Sequence, residues 1–269
     1  MTLANPRELL CLRGVCTRVP GRKFGPFDLS LAAGESIAIL GPSGAGKSTL
    51  LRLMSGERAA HEGALSFESR PLADWSVREL AQRRAMLPQT HAVAFGMPVE
   101  LVVSLGRIAR EPDPHQTQIV SKGLQAACAA HLVGRRFDTL SGGEQARVQL
   151  ARVLAQLWEA RDGLLLVDEP LSALDPGLQF ELMDAMRNFT QARGHALVAV
   201  LHDINQALAG FERLWLVQDG RLVADLPAGR SAVPALERLF GVGLRCIDGE
   251  DGRIAVLVRN VLPAATSAA

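Results

Sequence analysis

The chain has almost no excess of charge of either sign. Its 29 Lys and Arg residues and 28 Asp and Glu residues give a formal net charge of +1. A nearly neutral protein has no overall field that draws it to nucleic acid or to an anionic membrane. We therefore expect no nucleic-acid partner, although a local basic patch is compatible with this balance.

Long apolar runs and paired cysteines are also missing. No segment approaches the ~18 uninterrupted apolar residues of a membrane-spanning helix, and the first residues do not read as a secretion signal. The four cysteines form no CxxC pair and no Cys/His cluster; they are Cys11, Cys16, Cys128 and Cys246. They are predicted to be free thiols in a reducing compartment. We expect a cytoplasmic protein.

The distribution of apolar residues predicts an α/β fold. The 269 residues are 48% hydrophobic and 21% charged, which is ordinary globular composition. Continuous apolar runs at residues 36–40, 164–167 and 196–201 read as strands buried on both faces, with helical stretches between them. This alternation predicts a mostly parallel sheet. Two hairpins are expected near the end, around the Asp-Gly pairs in 216–223 and 250–258.

The strongest motif is a GxxxxGK[ST] loop that follows the first of these strands and precedes a helix expected at 48–53. Its residues are Gly41, Pro42, Ser43, Gly44, Ala45, Gly46, Lys47, Ser48 and Thr49. Such a loop points backbone N–H groups at phosphates, while Lys47 reaches the β- and γ-phosphates and Ser48 binds Mg²⁺. A plain glycine-rich turn is the alternative, but a chance match has odds of roughly one in a hundred. The loop predicts a nucleoside triphosphate site.

Two acids follow the apolar run at 164–167. Open α/β sheets bind ligands at the carboxyl ends of their strands. Asp168 is therefore expected to hold the metal, directly or through water, and Glu169 to accept a proton from the attacking water. Acids that merely end a strand are the alternative, and the phosphate loop in the same chain argues against it.

Residues 140–145, Leu-Ser-Gly-Gly-Glu-Gln, predict the start of a helix. Ser141 suits the N-cap position and Glu144 the third helical position, which together make a capping box. A helix start alone would explain those two residues. Gly142 and Gly143 cost about 1 kcal/mol each relative to Ala in a helix. An anion that binds the free backbone N–H groups at this helix N-terminus would explain why glycines occur there.

This segment resembles the LSGGQ or LSGGE signature of the ABC-transporter ATPases. The other motifs of that family follow in order: Gln89 matches the Q-loop glutamine, residues 172–175 match the D-loop, and His202 matches the switch histidine. Taken singly, Gln89 and His202 would be a surface glutamine and a structural histidine. Their order and placement favour the family, and the resemblance covers residues 9–258.

The resemblance implies the architecture. It predicts a single P-loop NTPase domain of the ABC ATPase type over residues 1–262, with a mostly parallel sheet and an N-terminal antiparallel β subdomain. An inserted α-helical subdomain at about 90–140 would grip membrane subunits. Residues 263–269 would form a flexible tail.

The resemblance also implies an ATP- and Mg²⁺-dependent mechanism. Two copies would close head-to-tail, so that ATP on one phosphate loop meets Ser141, Gly142 and Gly143 of the other copy. His202 would hold the γ-phosphate and the attacking water, and Gln89 would approach metal and water. The implied catalytic residues are Glu169, His202 and Gln89, and the implied metal ligands are Ser48, Gln89 and Asp168.

One family feature is missing. ABC ATPases usually stack adenine on an aromatic residue in the first strands, often Tyr, and this chain contains no tyrosine. The position falls near Arg18 or Val19. Arg18 would stack through a cation–π contact, or Phe24 would serve instead.

Four segments, at 71–76, 80–89, 148–158 and 198–205, resemble the hemin-importer ATPases. That group implies two transmembrane permease subunits, an indirect periplasmic hemin-binding partner, and peripheral attachment to the cytoplasmic face of the inner membrane. Ferric-siderophore and vitamin B12 importer ATPases are close alternatives. A soluble ABC ATPase usually carries two ATPase domains or a coiled-coil insertion, and a metabolite kinase would lack the 140–145 signature. The residues show no haem chemistry, so the cargo depends on resemblance alone.

Overall fold

The structure is a computed structural model that describes residues 7–89, 96–169, 174–249 and 253–261. The strands in these ranges are β1 (Glu8–Val19), β2 (Arg22–Ala32), β3 (Ser36–Leu40), β4 (Glu62–Phe67), β5 (Arg70–Pro71), β6 (Arg84–Leu87), β7 (Leu164–Asp168), β8 (Ala196–Val200), β9 (Arg213–Gln218), β10 (Arg221–Pro227), β11 (Val242–Asp248) and β12 (Ile254–Val261). The α-helices are α1 (Lys47–Met54), α2 (Val77–Ala81), α3 (Val99–Ser104), α4 (Gln116–Ala126), α5 (Gly142–Leu157), α6 (Pro176–Arg193), α7 (Ile204–Gly210) and α8 (Val233–Phe240).

The central sheet has the strand order β10-β9-β3-β8-β7-β6. Its pairs are parallel except for β9 and β10, so the predicted mostly parallel sheet is confirmed. Every residue of β7 and β8 is buried, because this sheet is covered on both faces. The segments that follow β3, β7 and β8 therefore meet at one edge of the sheet.

An antiparallel sheet of order β2-β1-β4-β5 contains the N-terminal strands, which confirms the predicted β subdomain. In the sequence these strands show only short apolar pieces, at 9–12 and 27–31, whereas β1 has 12 residues and β2 has 11. Register shifts interrupt the pairing between Leu12 and Val15 and again before Thr17. These irregularities break the alternating pattern by which long strands are recognised.

Helices α3 and α4 pack with α5 in one apolar core that continues to the central sheet. A buried charge lies beside this core. Arg107, which has no exposed side-chain surface, donates to Asp113 and Glu159 at 2.7 Å each and to the Ala155 carbonyl at 3.1 Å. These hydrogen bonds offset the free energy lost when the guanidinium is removed from water. The predicted subdomain boundary at about 90–140 stays a prediction, and residues 90–95 lie outside the described residues.

Both predicted C-terminal hairpins are present. Asp219 and Gly220 join β9 to β10 with φ angles of 50° and 80°, the conformation that Asp-Gly turns favour. Strands β11 and β12 pair antiparallel, but their turn at 250–252 and the predicted tail at 263–269 fall outside the described residues. Within the ranges that the structure describes, no helix is long and apolar enough to cross a membrane.

Candidate nucleotide-binding site

The phosphate loop connects β3 to α1 and requires glycine at two places. A Cβ on Gly41 would lie 2.1 Å from the Val217 carbonyl oxygen, and Gly46 has a φ of 103°. The loop backbone is fixed by the hairpin turn, because the Gly220 N–H donates to the Ala45 carbonyl at 2.9 Å. No side chain caps the N-terminus of α1. Its first amides are therefore suited to bind an anion.

Lys47 occupies the interior of this loop. Its Nζ donates to the carbonyls of Gly41 at 2.8 Å and Pro42 at 3.1 Å, and it lies 3.9 Å from Glu169 Oε1. Burial lowers the pKa of Lys47, while the negative charges of Glu169 and Asp168 act in the opposite direction. The ammonium is thus held where phosphates would enter the loop.

Asp168 ends β7 and contacts the helix that follows the loop. Its Oδ1 accepts a hydrogen bond from Ser48 Oγ at 2.8 Å, although the residue is almost fully buried. Burial raises the pKa of the Asp168 carboxyl; the Ser48 bond lowers it, and Glu169 raises it further. A hydroxyl and a carboxylate oxygen are ligands that Mg²⁺ prefers, and a cation would offset the cost of burying this carboxylate. The residues present therefore fit a magnesium ion.

Glu169 lies at the centre of the polar contacts. His202 Nε2 is 2.5 Å from its Oε1, and Gln89 Nε2 donates to its Oε2 at 3.4 Å. Its φ of 46° is rare for a residue with a side chain. Such backbone strain costs on the order of 1–3 kcal/mol and is concentrated at functional sites.

Most of the predicted residues line one cleft of about 390 Å³. Its walls are Phe24, Ser43, Gly44, Ala45, Gly46, Lys47, Ser48, Thr49, Gln89, Glu169 and His202. Gly41 and Pro42 lie behind it as acceptors for Lys47, and Asp168 reaches it through Ser48. Four separate parts of the sequence, at Phe24, Gln89, Glu169 and His202, thus converge with the phosphate loop. Residues 172 and 173 of the predicted D-loop lie outside the described residues.

Ser141, Gly142 and Gly143 are not among the residues that line this cleft. They form the N-terminus of α5 with the expected capping box, in which Ser141 N–H donates to Glu144 at 2.8 Å and Ser141 Oγ accepts from Glu144 N–H at 3.3 Å. A Cβ on Gly142 would meet nothing within 4 Å, so the backbone here is open to an approaching group.

Of the three candidates for the adenine contact, Phe24 lines the cleft, packed against Gly46. Arg18 points to Glu62 at 3.4 Å and is well exposed. Sequence reasoning missed Arg22, whose guanidinium lies 5.0 Å from the centre of the Phe24 ring and donates to the Gly44 carbonyl at 3.1 Å. The only sequence signal was its place two residues before Phe24. The base contact itself stays a prediction.

The strand order, the phosphate loop and the acids at the end of β7 define a P-loop NTPase. The chain belongs to the ABC transporter family, whose model matches residues 24–172. This membership implies that the chain binds and hydrolyses ATP.

Known proteins agree with this assignment. The hemin import ATP-binding protein HmuV of Pseudomonas fluorescens is 49% identical over 72% of this chain and 77% of its own length. HmuV of Methylobacillus flagellatus is 38% identical over 91% of this chain and 94% of its own. A solved structure described as an inward-facing conformation of a putative metal-chelate type ABC transporter has a TM-score of 0.78 and 23% identity. The match covers 94% of this chain and 98% of the chain in the solved structure. At this level of identity, the similarity to the solved structure supports the assignment of the fold and nothing further.

Proposed function

We propose that this chain is the ATP-hydrolysing subunit of an importer whose cargo is hemin. The assignment of hemin as the cargo depends on the similarity to hemin import ATP-binding proteins. One such relative is 49% identical over 72% of the chain. The catalytic part of the proposal depends on the cleft, where Lys47, Glu169 and His202 lie together.

The chain's residues divide the work of hydrolysis. The loop amides and Lys47 bind the phosphates of ATP, and Lys47 exchanges its carbonyl partners for phosphate oxygens. Ser48, Asp168 and Gln89 would hold Mg²⁺, which when bound offsets charge on the β- and γ-phosphates. Glu169 accepts a proton from the attacking water. His202, at 2.5 Å from Glu169, orients that water and the γ-phosphate.

The exposed N-terminus of α5 supports a head-to-tail dimer. Ser141 and Gly142 are exposed and lie outside the cleft of their own chain, whereas Gly143 is half-buried and a Cβ on it would lie 2.5 Å from the Leu178 side chain. In a second copy they would complete the γ-phosphate site. The proposed assembly is two copies of this chain, each ATP lying between one loop and the partner's signature.

A separate apolar groove supports binding of a permease. It has a volume of about 730 Å³ and is lined by residues of α3, α4 and the segment after them; these include Leu101, Val120, Leu124 and Val133. Leu101 and Val133 are 47% and 53% exposed. An amphipathic helix docks in such a groove through spaced apolar side chains. We assign the groove to the transmembrane permease subunits, which would hold the chain at the cytoplasmic face of the inner membrane.

Growth on different iron sources tests the cargo. A strain that lacks this gene and any second haem uptake system should fail on hemin as sole iron source but grow on inorganic iron. The wild-type gene should restore growth on hemin, and a Lys47→Ala gene should not. Normal growth of the deletion strain on hemin, with loss of growth on a ferric siderophore or of vitamin B12 uptake, would instead assign the alternative cargo.

A further inference from the structure

Helix α7 directly follows the segment that carries His202. Asp203 is its N-cap, and the helix has only seven residues. A helix of this length, about 10 Å, is not stable by itself and takes its position from the contacts around it. The position of His202 therefore depends on what holds α7.

Asn205 joins α7 to the C-terminal hairpin. Its Nδ2 donates to the Val256 carbonyl at 3.1 Å, and the Val256 N–H donates to its Oδ1 at 2.7 Å. One side-chain amide thus pairs with both backbone groups of a residue of β12, as a neighbouring strand would. Alternate residues of an antiparallel strand point both groups away from their partner strand, so this pairing leaves the β11–β12 ladder intact.

The same residue is bonded to the segment that begins at His202. Asp203 Oδ1 accepts from the N–H groups of Asn205 at 2.7 Å and Gln206 at 3.1 Å. The next residue contacts a different element, because Gln206 Nε2 donates to Gln179 of α6 at 2.8 Å. Helix α7 is thus bonded both to α6 and to the hairpin, and Asn205 makes the bond to the hairpin only three residues after His202.

We propose that Asn205 is a positioning residue for His202, and that the β11–β12 hairpin serves as its fixed support. The inference depends on the role of His202 in the proposed function. His202 Nε2 lies 2.5 Å from Glu169 Oε1. A misplacement of about 1 Å at such a contact can cost up to about 10²-fold in rate.

Asn205→Leu tests this inference, because leucine has a similar shape but forms no hydrogen bond. We expect kcat for ATP hydrolysis to fall by about tenfold, with the KM for ATP within about twofold, since geometry rather than binding is lost. Hydrogen–deuterium exchange of residues 201–207 should become faster. In a His202→Ala background the same substitution should produce no further loss of kcat.

Glu237→Leu is the matched control. Glu237 accepts from the Leu244 N–H at 2.7 Å and so supports the same hairpin through its other strand, β11. This variant should lower the melting temperature yet keep kcat and the exchange of residues 201–207 near the wild-type values. An equal loss of kcat in Glu237→Leu would show general destabilisation and overturn the inference.

The remaining outcomes separate this inference from the proposed function. Wild-type kcat or unchanged exchange in Asn205→Leu, with His202→Ala inactive, overturns the positioning role alone. A His202→Ala variant at the wild-type rate overturns the role of His202, and the positioning role with it. The exchange measurement needs no activity, so it is informative even if His202→Ala hydrolyses no ATP.

Discussion

At the scale of single residues, the cleft holds opposite charges close together in a largely buried place. Lys47 Nζ and Glu169 Oε1 are 3.9 Å apart, and both side chains are mostly removed from solvent. Each has a proposed task on a different part of ATP, Lys47 on the phosphates and Glu169 on the water. Substituting them should therefore produce different defects.

Lys47→Ala removes the cation that faces the β- and γ-phosphates. We expect hydrolysis to be abolished and ATP binding to be severely weakened, measured by phosphate release and by titration with a fluorescent ATP analogue. Lys122→Ala, on an exposed position of α4, is the control for loss of one positive charge and should behave as wild type. Activity of Lys47→Ala near the wild-type level would contradict the assignment of residues 41–49.

His195 is a second buried titratable residue, away from the cleft. Its Nδ1 accepts from the Gly163 N–H at 2.9 Å, and only 1% of the residue is exposed. Burial lowers the pKa of His195 to about 4 from an ordinary 6.5. Because the unfolded chain takes up this proton more readily, the contribution of neutral His195 is complete above about pH 6.5 and is lost as the pH falls towards 4.

His195→Asn removes that titration and keeps an acceptor for Gly163. From pH 7 to pH 5, the free energy of unfolding of the wild type should fall by about 2 kcal/mol more than that of the variant. Urea denaturation at the two pH values measures the difference. The pKa of the Glu181 carboxyl is lowered to about 2, so its contribution to the free energy of unfolding is lost at lower pH. It therefore does not affect the comparison between pH 7 and pH 5. Equal losses in both proteins would show that His195 does not titrate as described.

At the scale of helices and strands, the carboxyl ends of β3, β7 and β8 bring the phosphate loop, the acids and His202 to one edge of the sheet. Helices α3 and α4 form a different surface, the apolar groove. The proposed division assigns hydrolysis to the first and permease binding to the second. Substitutions in the groove should therefore leave hydrolysis by the isolated chain unaffected.

Leu101→Asp and Val133→Asp place a charge in the groove. Both variants should lose support of growth on hemin, while the purified chains keep their ATPase rate and unfold with a free energy changed by about 0.5 kcal/mol or less. Val77→Asp is the matched control, because Val77 is 83% exposed on α2 and does not line the groove. Growth of the groove variants like wild type, or an equal defect in Val77→Asp, would contradict the assignment.

The sequence predicted those elements whose cause is local. An unbroken apolar run marks a buried parallel strand, and so β3, β7 and β8 were expected within about one residue of their ends. The Asp-Gly turn and the capping box at Ser141 also depend on short patterns. The position of the cleft could be predicted from these elements, because the motifs lie at the carboxyl ends of the strands.

Other features depend on distant contacts and had no local signal. Residues 61–87 contain only turn residues and short apolar pieces, yet they form β4, β5, α2 and β6. Of these, β4 pairs with β1 and β6 pairs with β7, and both partner strands lie far away along the chain. A buried Arg107 looks in sequence like any surface arginine, because Glu159, which pairs with it, is 52 residues away. The Asn205–Val256 pairing likewise spans 51 residues.

At the scale of the whole molecule, the proposed ATP site consists of two halves that do not line the same cleft of one chain. The cleft holds Lys47 and Glu169, and the α5 N-terminus presents Ser141 and Gly142 elsewhere. Two copies joined head-to-tail would bring these halves together around ATP. This assembly would persist only while ATP stays intact, because the γ-phosphate contacts both copies.

The behaviour of Glu169→Gln on size-exclusion chromatography tests this account most directly. Glutamine keeps the shape but accepts no proton, a loss of about 10²–10⁴-fold in rate, so the variant should elute as a dimer with Mg·ATP and as a monomer without it. The Asp168→Asn variant should bind Mg²⁺ more weakly, and it should therefore stay monomeric both with and without Mg·ATP. A Glu169→Gln variant that remains monomeric at saturating ATP and still hydrolyses it would contradict the assignment of Glu169 as the base.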